Sequence, residues 1–86
     1  MIRGIVRCGN TPVPFARIVV VTGPGPMPEI AILSGPDGSF TVGTPYPGRY
    51  LLAVHADEYR PARLEVTLPE ASSTAEVVAA LETLPT

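Results

Sequence analysis

The chain has 86 residues, a formal net charge of −2, 45% hydrophobic residues and only 16% charged ones. A length of this order fits one domain, taken here as residues 1–86, and buries roughly 60% of the surface its unfolded form exposes, which allows one modest core and argues against a deep enclosed active site. Typical globular chains carry about 25% charged residues, so part of the apolar material stays on the surface or meets a partner.

Eleven prolines and eight glycines separate short apolar segments, the pattern of many short strands joined by turns. Ile2, Gly4 and Val6 alternate with Arg3, Ile5 and Arg7 in a first strand, and Gly9-Asn10 reads as a turn. The β-branched run from Phe15 to Val21 gives a second strand. Gly23-Pro24-Gly25-Pro26-Met27-Pro28 lacks three amide donors and is a loop, in which proline serves more as stiffening than as a recognition element. Glu29 to Leu33 is predicted as a third strand, Gly35-Pro36-Asp37-Gly38 as a turn, and Ser39 to Val42 as a fourth strand. After the Pro45-Tyr46-Pro47-Gly48 turn come a fifth strand, Arg49 to His55, and a sixth, Arg63 to Leu68. The segment from Ala75 to Leu84 has helix formers that Ser73 or Thr74 would cap, yet with period two Ala75, Val77, Ala79 and Leu81 share one face; the reading leans to strand.

The candidate chemistry is sparse. All six cationic residues are arginines (Arg3, Arg7, Arg17, Arg49, Arg60 and Arg63), dispersed too widely for a nucleic-acid footprint. No amphipathic basic helix and no long apolar run points to a membrane. Cys8 is the sole cysteine and His55 the sole histidine; they end different strands, and nothing in the spacing pairs them as nucleophile and base. Asp37, Asp57, Glu58 and His55 offer too few clustered oxygens for calcium, and turn chemistry accounts for both aspartates. No metal or other cofactor is expected. With no tryptophan, only Tyr46 and Tyr59 are candidate ligand-binding aromatics, and Phe15 reads equally as core or surface. The N-terminus lacks a signal-peptide pattern, so the chain as written is expected in the cytoplasm, and outside the cell if it is a domain of a larger secreted protein.

Several of these stretches occur together in one known pattern: Ile2-x-Gly4-x-Val6, Pro12-Val13 with Ala16-x-Ile18-x-Val20, Asp37-Gly38-x-Phe40, and Pro47-Gly48-x-Tyr50-x-Leu52-x-Val54 ending near Tyr59. In their order and spacing the chain resembles the carboxypeptidase regulatory-like domains, relatives of the transthyretin-like and collagen-adhesin B-type sandwiches. It departs where Gly35 stands near a position that is often Asp or Asn, and where Glu58 replaces the glycine usual before Tyr59. The resemblance implies an all-β, seven-stranded antiparallel β-sandwich of transthyretin-like (prealbumin-like) Greek-key topology. It also brings two activities of relatives into view. Isopeptide formation needs a lysine, and the chain has none; a guanidinium is a poor substitute. The purine-pathway hydrolases need a histidine–arginine cluster and a tyrosine-containing C-terminal motif, and this chain ends Leu84-Pro85-Thr86.

Parity then sorts the side chains. Val6, Ile18, Val20, Phe40, Val42, Tyr50, Leu52, Val54, Leu64, Val66 and Leu68 are predicted to face inward. In the folds that the chain resembles, the second, third, fifth and sixth strands share a sheet. Val19, Val21, Leu51 and Ala53, with Ile30 and Ile32 from a third strand apolar on both parities, would form an outer apolar patch rimmed by Arg63, Glu65 and Thr67. The expected function is a non-catalytic structural or protein-interaction module working through that face, with a second copy (a homo-oligomer) or another protein as partner. A small carbohydrate- or ligand-binding module using Tyr46 and Tyr59 is the alternative, and Ile5, Val78 and Ala80 mark the next candidate surface.

Overall fold

The computed structural model describes residues 1–25, 31–70 and 72–84. It contains eight strands: β1 (Ile2–Cys8), β2 (Thr11–Pro12), β3 (Arg17–Thr22), β4 (Ala31–Leu33), β5 (Ser39–Val42), β6 (Gly48–His55), β7 (Ala62–Leu68) and β8 (Ala75–Ala80). They form the expected sandwich. In one sheet β1 is central, with β8 on one side and β5 and the short β2 on the other; the second sheet runs β4-β3-β6-β7.

The eighth strand is the two-residue β2, which returns through the Gly9-Asn10 turn to pair Cys8 with Thr11. The C-terminal segment is a strand, and it pairs with β1 in parallel, from Ile2 opposite Ala75 to Arg7 opposite Ala80. Its inner residues follow the period-two reading: Ala79 and Leu81 are buried, and Ala75 and Val77 pack against the core. The Leu81 amide continues the ladder by donating to the Arg7 carbonyl at 2.8 Å.

Every residue predicted to face inward lies in the core or against it, with Val20 and Leu64 at its margin. Alternation leaves few other arrangements, because a one-residue slip would carry the whole set to solvent. Two glycines allow close approach within the β1 sheet. At Gly4 a Cβ would come within 2.6 Å of Phe40 Cε1, so the ring lies on the bare backbone of β1. At Gly38, φ is +82° and a Cβ would collide with the Val6 carbonyl, while Val6 itself donates to the Gly38 carbonyl at 2.8 Å. That position needs both the left-handed backbone and the missing side chain.

A buried hydroxyl secures the connection between β5 and β6. The Tyr50 ring is fully buried, and its hydroxyl donates to the Tyr46 carbonyl (2.6 Å) and accepts from the Tyr46 amide (3.2 Å). The turn into β6 is thus hung from a core residue of the same strand.

Candidate functional site

The outer face of the β4-β3-β6-β7 sheet is laid out by register. Leu33, Arg17 and His55 form one row across β4, β3 and β6; Ala31, Val19, Ala53 and Arg63 form the next; Leu51 and Glu65 lie in a third. The ladder slips between Val20 and Thr22, which leaves Val21 as an extra residue, 49% exposed. Such a bulge bends the strand and re-aims its side chains.

The expected patch residues fare differently. Val19 and Leu51 are half-buried on this face, and Ala53 is on it but only 7% exposed. Ile32 corrects the expectation: it pairs with buried Ile18 and packs against the core, so Ala31 and Leu33 are the outward residues of β4. Leu33 is 61% exposed. Ile30 lies outside the described residues, as do Glu29 of the predicted third strand and residues 26–28 of the proline-rich loop. On the β7 side Arg63, Glu65 and Thr67 are exposed, and Arg49 Nε meets Glu65 Oε1 at 2.9 Å. Both partners of that pair are mostly in water, where such contacts contribute about 1 kcal/mol or less.

Beside Leu33 stands Phe15, a residue the sequence left undecided. It is 69% exposed and holds a left-handed backbone, φ 57°, a conformation uncommon for any side chain and an outlier for a bulky one. This is why β3 begins at Arg17 rather than at Phe15. The turn is clamped by Ser34, which is almost wholly buried. Ser34 Oγ donates to the Val13 carbonyl (2.9 Å) and accepts from the Ala16 amide (2.8 Å). The Ser34 carbonyl accepts from the Phe15 amide (3.0 Å), and the Ser34 amide donates to the Ala16 carbonyl (2.9 Å). A depression of about 200 Å³ lies at this corner, lined by Phe15, Arg17, Leu33, His55, Ala56 and Asp57. The parity of Ala16, Ile18 and Val20 was the available signal that Phe15 points outward.

The other sheet's outer face carries a larger depression, of about 410 Å³, around Arg3, Ile5, Ser39, Thr41, Glu76 and Val78. Ile5 and Val78 are each about half exposed there, and Ala80 is exposed on the same strand. On this face Ile5 and Val78 lie opposite each other among Arg3, Thr41 and Glu76, whereas on the β4-β3-β6-β7 sheet aliphatic residues fill a row three strands wide, Ala31, Val19 and Ala53.

The remaining candidates are not brought together. Tyr46 precedes β6 and Tyr59 follows it, so the eight residues of that strand, roughly 25 Å of extended chain, separate them. Tyr46 packs its ring against Gly25, and Tyr59 lies against the core and bridges to Thr83. Cys8 and His55 end strands of different sheets. Among the described residues no three His, Cys, Asp or Glu side chains gather as a metal site. Asp37 belongs to its turn: the Ser39 hydroxyl (2.6 Å) and amide (3.1 Å) donate to its carboxylate and hold its pKa below the ordinary 3.8.

The sequence pattern of carboxypeptidase regulatory-like domains matches residues 1–82. That family comprises generally non-catalytic β-sandwich modules. No curated protein matches the chain.

Proposed function

The chain belongs to the carboxypeptidase regulatory-like domain family, and on that premise we propose that it is a non-catalytic protein-interaction module working through the outer face of its β4-β3-β6-β7 sheet. The observation that carries this reading is the aliphatic row of Ala31, Val19 and Ala53 across β4, β3 and β6, flanked by Leu33 on one side and Leu51 on the other, with the exposed Val21 at the bulge, and bordered by Arg63, Glu65 and Thr67. Interfaces are commonly built with an apolar centre and a polar rim, and soluble monomers seldom leave large contiguous apolar patches unused. The low charge content points the same way.

Site-specific photo-crosslinking in the native host tests the reading. A photoreactive residue at Leu51 is expected to give a discrete protein adduct that is lost in Val19→Glu, whereas one at Thr41, on the opposite face, gives none. Equal adducts from both faces, or an adduct untouched by Val19→Glu, would refute it. A second reading, a small ligand held on the β8-β1-β5 face, is favoured by the 410 Å³ depression there, a volume in the range of ligand pockets. Under that reading Val78→Trp abolishes binding and Val19→Glu does not.

A further inference from the structure

The corner at Phe15 deepens this reading and rests on it. We infer that Phe15 and Leu33, with Arg17 between the apolar pair and His55, form the anchor of the interface, and that the partner segment they take is apolar and acidic.

Three observations lead there. The first is energetic. Phe15 is at once strained and exposed, so folding gains no relaxed backbone and little buried area from it. Strained residues persist where surrounding structure over-determines them, and they concentrate at functional sites. Here the surrounding structure is the buried Ser34, whose side chain and backbone make four hydrogen bonds to the Val13–Ala16 turn. The result is a large apolar ring displayed on a rigid support, with little conformational freedom left to lose on binding. Aromatic residues of this kind dominate the energetics of interfaces.

The second observation is shape. Among the described residues Phe15 and Leu33 are the two most exposed of the large apolar side chains, and they border the same 200 Å³ depression. A partner's apolar side chain entering it touches both.

The third is charge. The strands of this sheet carry Arg17, Arg49 and Arg63 against the single carboxylate Glu65, on a chain whose formal net charge is −2. Among the described residues most other carboxylates lie in turns and loops; Asp57 lines the depression itself and with Glu65 offsets two of the three arginines, which leaves the face with one net positive charge. Glu65 is already engaged by Arg49, and among the described residues Arg17 has no ion-pair partner. A carboxylate on the partner would supply one. A second copy is a poorer occupant, because a two-fold contact presents the same patch twice and sets arginine-bearing strands against each other.

The test is an amide-resolved NMR titration of the intact chain with two short capped peptides, one alternating Leu and Glu, the other Leu and Lys. The Leu–Glu peptide is expected to shift the amides of Arg17, Leu33 and His55 saturably, less so as salt is raised. The Leu–Lys peptide is expected to leave them in place. Phe15→Gly and Arg17→Gln each weaken binding, the former by about tenfold, and Phe15→Gly stays folded because it removes strain rather than packing. Shifts from both peptides alike, shifts confined to another face, or no shifts at all would overturn the inference. If crosslinking at Leu51 succeeds while the Leu–Glu peptide fails here, the face is right and the anchor wrong. If both fail, the face itself is wrong.

Discussion

Among the described residues two other than glycine hold a left-handed backbone, Phe15 before β3 and Glu58 after β6 (φ 57° and 71°), and their surroundings differ in kind. Around Glu58 the local structure serves the fold. Tyr59 beside it packs on the core, the Leu84 amide donates to the Glu58 carbonyl at 3.1 Å, and the Arg60 amide donates to the Glu82 carbonyl at 2.8 Å. The Glu58 side chain simply occupies a position where glycine would fit without strain. Around Phe15 a buried serine holds the turn, and a large ring stays outside. A strained backbone therefore carries no functional meaning by itself; what matters is the side chain that it displays and how firmly the display is held.

Substitutions sharpen that contrast. The largest effect is expected from Ser34→Ala, which leaves the buried Val13 carbonyl and Ala16 amide without their hydroxyl partner. Chemical denaturation should show a loss of about 2–3 kcal/mol for the two groups, and hydrogen exchange at Phe15 and Ala16 should quicken. An unchanged midpoint would mean that the clamp is not holding the turn. Glu58→Gly should stabilise by about 1 kcal/mol, since a left-handed conformation costs an L-residue roughly that much, and a Glu58→Ala control should gain nothing comparable. A loss on Glu58→Gly would show that the carboxylate is used after all.

The smallest effect belongs to Asp37, whose hydrogen bonds from Ser39 lower its pKa in the folded state. A carboxylate depressed on folding contributes stability that is complete above its unfolded pKa and fades as pH falls through the folded one. Asp37→Asn should therefore weaken the domain slightly at neutral pH and flatten the upper part of its acid-denaturation curve, below about pH 4. Superimposable acid curves for wild type and variant would count against that turn.

Most of the fold was legible because its strands alternate. Leu64, Val66 and Leu68 against Arg63, Glu65 and Thr67 leave one sensible orientation, and β7 adopts it. Where alternation fails, the sequence falls silent. β4 is apolar on both parities, so nothing in it distinguished Ile32 outward from Leu33 outward until pairing with Ile18 decided the matter. Periodicity gives the face of β8 but not its direction, and its parallel pairing with β1 was invisible. A two-residue β2 is too short to carry a pattern at all. At the candidate site, the outward aliphatic positions of β3 and β6 were readable. The Phe15 corner was not, because it depends on a positive φ and on Ser34, a residue unremarkable in sequence that becomes a clamp only when folding buries it.

If the Phe15 corner serves recognition, its exposure comes at some expense of stability. One thermal-melt comparison addresses it directly: wild type and Phe15→Gly, each with and without the Leu–Glu peptide. Ligand binding to the native state raises the melting temperature by mass action. Phe15→Gly alone is expected to melt above wild type, and the peptide is expected to raise wild type clearly more than the variant. A variant that melts at or below wild type, or one that gains as much from the peptide, would contradict it.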